Sequence, residues 1–253
     1  MSNNVLLTEI DHQIAILTLN RPDVMNSFNF ELLYALRESV ENIRFNPDVR
    51  VIVITGAGNK AFCSGADLKE RITLTPQEVK KFIYTIRNLF TNIEYLNKPV
   101  IAAIAGHAVA GGLELALWCD LRVVEESAVL GVYCRRWGVP LIDGGTVRLP
   151  RLIGHSRAMD LILTGRSVGA REALQMGLAN RVVSDGTALS AALELAGELS
   201  RFPQNCLRSD RLSACEQWGL SLEEALANEF RRGLEVVASR ETVTGPTRFA
   251  QGR

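Results

Sequence analysis

The sequence predicts an α/β protein that becomes helical toward its C-terminus, and three observations carry that expectation. Short apolar runs of strand length recur through the first 140 residues, amphipathic runs of helical spacing stand between them, and beyond residue 155 the strand signal fades. Strands are expected at 5–10, 14–19, 51–55 ("VIVIT"), 100–104 ("VIAAI"), 121–124 and 128–132. The stretch 28–45 puts Phe28, Leu32, Leu33, Leu36, Val40 and Ile43 on one helical face, and a second such run spans 77–96. After 155, "SRAMDLILTG", "AREALQMG", "ALSAALELAGELSR" and "LEEALANEFRRGLEVVAS" read as successive amphipathic helices, so this region is expected to be all-helical. Pro203 in "RFPQN" marks a break between two of them, because the residue before a proline is pushed out of helical geometry. No fixed-period repeat or low-complexity segment interrupts the pattern.

Composition narrows the function. The 253 residues carry 28 Lys+Arg and 28 Asp+Glu, a formal charge of zero. There is no global basic field of the kind that draws nucleic acid or acidic membranes, so small or locally recognised partners are expected. Five cysteines form an odd set without CxxC spacing, and only His12, His107 and His155 supply imidazole. The expectation is reduced thiols in a cytoplasmic protein, with no disulfide framework and no metal site. The start, "MSNNVLLTEI", has neither a basic segment nor a long apolar one, so no secretory signal is expected. Residues 99–118 are long and apolar enough to raise the question of a membrane span. His107, Glu114 and glycines 106, 111 and 112 argue instead for a buried strand, a turn and a buried helix.

Unusual residues gather at strand-to-turn junctions. "GAGNKA" at 56–61 fits G-x-G-x-x-A after a strand, the pattern of a dinucleotide-binding turn. The match fails in context, because "FCSGAD" supplies another turn where a helix should open, and Glu78 falls in a helical run rather than ending a second strand. In "HAVAGGLELALWCD", 107–120, Glu114 stands alone in apolar surroundings. A carboxylate taken from water without a partner costs several kcal/mol or neutralises itself. Gly111 lies three residues earlier on the same helix face, with its N–H in the unsatisfied first turn. Either a donor and a carboxyl face one shared space, or Glu114 merely caps or pairs inside the core while the glycines permit close packing.

Four blocks, "TLNRPDVMNSFN" (18–29), "GAGNKAFCSGADLKE" (56–70), "KPVIAAIAGHAVAGGLELALWCD" (98–120) and "GGTVRLPRLIG" (144–154), resemble in order and spacing those of the crotonase, or enoyl-CoA hydratase/isomerase, family. The resemblance covers nearly the whole chain. It implies a crotonase-like spiral of ββα units with the acyl-CoA site over 1–200, followed by a C-terminal helical trimerisation region over 201–253. It implies a homo-oligomer, either a trimer or a dimer of trimers, and no cofactor beyond the coenzyme A of the substrate. By the same resemblance, the N–H groups of Ala66 and Gly111 form an oxyanion hole. Ser64, Ala66, Asp67, Leu68, Lys69 and Gly111 line the coenzyme A path, with the Ser64 carbonyl offered to the adenine. Lys69 reaches a phosphate or is a solvated surface charge, and Phe249 packs on coenzyme A from its own or a neighbouring subunit.

One position departs from the family. Hydratases of this kind present two glutamates to one water; Glu114 matches the first, and gap-free alignment puts Cys134 at the second. A thiol of ordinary pKa near 8.5 is mostly neutral and binds water weakly. Asp143, nine residues on, is either the replacement acid or the cap of the helix that begins "GGTVRLPRL". Arg135 and Arg136 pair with Glu114 or Asp143, bind an acyl carboxylate, or lie at a surface. The expected activity is enoyl-CoA hydration with Glu114 and Asp143 as acid and base. The alternatives are double-bond isomerisation of an enoyl- or dienoyl-CoA by a single carboxylate, and acyl-CoA binding without catalysis.

Overall fold

The structure, a computed structural model, describes residues 4–251. Strands β1 (Leu6–Asp11) and β2 (Ile14–Leu19) form a hairpin whose two turn residues, His12 and Gln13, both have positive φ, as a tight two-residue hairpin demands. Helix α1 (Phe30–Phe45) starts at Asn29, whose side chain accepts from the Leu32 N–H. It ends on the buried Lys98, whose ammonium donates to the carbonyls of Ile43, Arg44 and Asn46 at 2.7, 3.2 and 2.8 Å. Then come β3 (Val51–Gly56), β4 (Ala61–Cys63), the single turn α2 (Leu68–Arg71) and α3 (Pro76–Glu94), which opens with a Thr75–Glu78 capping box. The next turn of the chain holds β5 (Val100–Ile104), β6 (His107–Val109) and α4 (Gly111–Trp118). The one after holds β7 (Leu121–Glu125), β8 (Val129–Gly131), a 3-10 turn (Tyr133–Trp137) and α5 (Gly145–Ile153).

Each of these turns gives one strand to each of two sheets, which makes the chain a spiral of ββα units. The larger sheet runs β1-β2-β3-β5-β7-β10, with β10 at Arg181–Val183, and the smaller β4-β6-β8-β9, with β9 at Ser167–Gly169. The continuous apolar runs follow from this. In β3, Ile52 and Ile54 face the main core while Val51 and Val53 face a second cluster under α8 (Ala188–Arg201), so both faces of the strand are buried. Strand β5 divides in the same way, with Val100, Ala102 and Ile104 on one side and Ile101 and Ala103 on the other.

The region after 155 is not all-helical. Between α6 (His155–Thr164), α7 (Ala170–Met176) and α8 lie β9 (Ser167–Gly169), antiparallel to β8, and β10 (Arg181–Val183), parallel to β7. Strands of three residues are too short to display a period, and for the same reason β4 and β6 escaped the sequence reading. Strand β10 is also held by the buried Arg122 of β7, which donates to the carbonyl of Leu178 at 2.7 Å and to Asn180 Oδ1. Three helices follow Pro203: α9 (Gln204–Glu216), α10 (Leu222–Ala238) and α11 (Glu241–Ala250). Among the described residues no helix is long and apolar enough to cross a membrane, and residues 99–118 are a strand, a short strand and a helix.

Candidate active site

Strands β4, β6 and β8 are parallel neighbours, so their C-terminal ends lie side by side. The segments leaving those ends carry Ser64, Ala66, Ala110, Gly111 and Cys134. These, with Glu114 and Asp143, line one cavity of about 430 Å³.

The first corner is held by main-chain bonds. Phe28 N donates to the Gly65 carbonyl at 2.8 Å and Asp67 N to the Phe28 carbonyl at 2.9 Å, a ladder that skips Ala66 and leaves its N–H without an acceptor among the described residues. The block 18–29 supplies the clamp. Arg21 donates to the Ser27 carbonyl at 2.6 Å and to Asp67 Oδ2 at 2.9 Å, while Asn26 bonds the carbonyls of Ala57 and Ala61. Asp67 thus ties the corner together; its Oδ1 also accepts from Lys69 N and Glu70 N to start α2, where the sequence suggested a plain turn.

The second corner is a strained one. Ala110 has φ 51° and ψ −127°, backbone geometry that a non-glycine residue adopts only when its surroundings enforce it. Its N–H is held by the Gly131 carbonyl at 3.0 Å. Gly111 follows at the positive end of α4, and its N–H has no acceptor among the described residues. Small residues are required here. A Cβ on Gly65 would sit 2.6 Å from Gly111 N, and one on Gly112 would sit 2.0 Å from the Cys63 carbonyl oxygen. A Cβ on Gly111 would meet Ala66 N at 3.8 Å and Asp143 Oδ2 at 3.7 Å, so two free donors and a carboxyl ring one small space.

Glu114 is 2 % exposed, and its Oε1 accepts from the N–H of Asp143 and of Gly145, both at 2.8 Å. It therefore caps α5 and faces the cavity as well: one oxygen is tied and the other makes no hydrogen bond among the described residues. Asp143 does not cap α5. That position belongs to Gly144, and Asp143 Oδ1 is buried without a partner. Trp118 completes the arrangement by donating Nε1 to the Asp143 carbonyl at 2.7 Å. Burial pushes the Glu114 carboxyl well above the usual range, and the charge of Asp143 pushes it further. Burial raises Asp143 too, against the pull of Arg71 and Arg87. Two such groups at close quarters share one proton near neutrality.

Cys134 is buried in the same cavity, and burial together with Glu114 raises its thiol to about 11, so it is neither a thiolate nucleophile nor an acid at neutral pH. Arg135 and Arg136 point elsewhere, bonding the carbonyls of Ile162 and Gly165, and neither lines the cavity. Ser64, Leu68 and Lys69 do line it; Lys69 is exposed, and the Ser64 carbonyl accepts no hydrogen bond among the described residues. Phe249, on α11, is 87 % exposed and lies off this wall. The sequence reading missed Arg71, Phe82, Tyr133 and Trp137, which also line the cavity. No local signal marks them, because only the fold brings α2, α3 and the 3-10 turn to one space.

The spiral and this corner geometry define an α/β protein of the crotonase fold. The chain belongs to the enoyl-CoA hydratase/isomerase family, whose profile matches residues 9–253. It is 38 % identical over 255 residues to YngF of Bacillus subtilis, a protein assigned provisionally to the enoyl-CoA hydratases/isomerases, covering 100 % of this chain and 97 % of that one. It is 32 % identical to the crotonyl-CoA hydratase of Syntrophomonas wolfei, with the same coverage of both chains. Among solved structures, the enoyl-CoA hydratase of Bacillus anthracis superposes with a TM-score of 0.95 at 35 % identity, covering 98 % of this chain and 97 % of its own.

Proposed function

We propose that the cavity binds an acyl-CoA thioester and that the chain adds water reversibly across the double bond of a 2-enoyl-CoA. One observation carries the reading: two unbonded main-chain donors and two buried carboxyls surround the same space. A thioester oxygen placed there accepts from Ala66 and Gly111 as it becomes an enolate, and one such preorganised donor is worth roughly 3–4 kcal/mol in the transition state. The water oxygen bonds to the β-carbon and gives its proton to the ionised member of the Glu114–Asp143 pair. The protonated member delivers its own to the α-carbon, and the sum is substrate plus water. The hydratase relatives support this assignment, and the Ser64–Lys69 segment is the path for coenzyme A.

Cys134 favours a second reading, isomerisation, because a neutral thiol occupies the place of the second glutamate. There, one carboxylate moves a proton between the carbons flanking the enolate. Turnover of crotonyl-CoA and of a 3-enoyl-CoA by wild type, Glu114→Gln and Asp143→Asn separates the readings. Hydration by the pair requires both variants to lose roughly 10²–10⁴-fold on crotonyl-CoA. Isomerisation by one group spares Asp143→Asn on the 3-enoyl-CoA, and binding without turnover by wild type leaves the non-catalytic alternative. Full hydratase activity in Glu114→Gln eliminates the assignment of that residue. We also infer a homo-oligomer built through the C-terminal helices, working in the cytoplasm, where five free thiols suit a reducing compartment.

A further inference from the structure

The cavity wall holds one cation that hydration does not use. Arg71 closes α2, is half-buried, and makes no ion pair or hydrogen bond through its side chain among the described residues. The other charged groups of the wall are accounted for. Asp67 is bonded to Arg21, Asp23 and Lys69 are exposed, and Glu114 and Asp143 form the acidic pair. Arg71 shares the cavity wall with Glu114 and Asp143, and its charge pulls against the burial that raises Asp143. Phe82, Ile83 and Ile86 of α3 line the same cavity. An alkyl chain laid against an unpaired guanidinium strips its water and returns nothing. A carboxylate instead meets a planar fork of donors suited to two parallel hydrogen bonds.

We propose that Arg71 recognises a carboxylate on the acyl group, so that the substrates are short 2-enoyl-CoA thioesters with an anionic terminus. This rests on the acyl-CoA reading above and names the substrate class of that site. Such a substrate brings a third carboxyl group beside Glu114 and Asp143, and the cation offsets a repulsion that would otherwise exclude it. The chemistry shown is that of an oxyanion partner, which a phosphate of coenzyme A also offers, so the test separates the two sources.

The specificity constant is measured on crotonyl-CoA, on glutaconyl-CoA, which carries a terminal carboxylate, and on their phosphate-free pantetheine thioesters. Wild type, Arg71→Met and Arg71→Gln are compared after thermal melts show that each is folded. Wild type is expected to prefer the glutaconyl ester by at least about tenfold. In both variants that preference should fall about 10- to 100-fold, mainly through KM, on the coenzyme A and pantetheine esters alike. Equal preference in wild type and variants overturns the proposal while crotonyl-CoA turnover leaves the parent reading intact. A loss confined to the coenzyme A esters overturns it in favour of a phosphate contact. If wild type neither binds nor turns over any thioester, the parent reading falls and takes this one with it.

Discussion

Glu114 uses one oxygen to hold the Asp143–Gly145 turn and leaves the other for the cavity, so the tie to the loop and the proposed proton transfer fall to different atoms of one group. Its raised pKa has a consequence for stability. Above the ordinary value of 4.5 the unfolded chain has released this proton while the folded chain still holds it, so stability falls as pH rises from there through the raised value. Asp143 adds a contribution of the same sign, opposed by Arg71 and Arg87, and Cys134 stays protonated across the range. Glu114→Gln removes its own contribution, so melting temperatures from about pH 5 to about pH 9 should decline less steeply in the variant. Parallel profiles would show that Glu114 holds no extra proton in the fold. The resemblance placed Ala66, Gly111, Glu114 and Asp143 by number, and the structure brings all four together. It left Asp143 between a cap and an acid; the positive φ of Gly144 and the unpartnered Oδ1 decide against the cap.

At the scale of elements, α4 is the organiser. Glu114 and Trp118, four residues apart, lie on one face and grip the same loop from two sides, accepting from its N–H groups and donating to its carbonyl. Arg148 lies over the Trp118 ring at 4.3 Å, and the absent side chain of Gly144 makes room for that ring. Trp118→Phe keeps the packing but removes the donor. It should lower stability by about 1 kcal/mol in urea titration and reduce kcat more than it raises KM, because the loop carrying Asp143 loses one of its fixed points. An unchanged kcat would show that the loop needs no such hold. Helices α1 and α3 were readable from their spacing because each presents a long apolar stripe. Of the strands that shape the site, β8 was readable within the apolar run 128–132, whereas β4 and β6, with three residues each, owe their existence to neighbours.

For the whole molecule, the C-terminal helices set the next question. Leu222, Leu226, Phe230 and Val237 on α10 and Val243 and Phe249 on α11 are all exposed in the single chain. An exposed apolar surface of this kind is a mark of interaction sites. Sedimentation equilibrium is expected to give a whole-number multiple, above one, of the 27.8 kDa chain. Phe230→Glu combined with Leu226→Glu should shift it toward the single-chain mass. A wild-type protein that sediments as one chain would remove the case for an oligomer.

Local chemistry by itself determined the alternation of strands and helices and the presence of a buried carboxyl after a glycine pair, because these depend on spacing within one element. Only the tertiary structure decided that Ala66 and Gly111 leave their N–H groups unbonded around one space, that Asp143 stands beside Glu114, and that Arg71 joins them. Those facts depend on three parallel strands ending side by side, a relation between residues dozens of positions apart that no local pattern records.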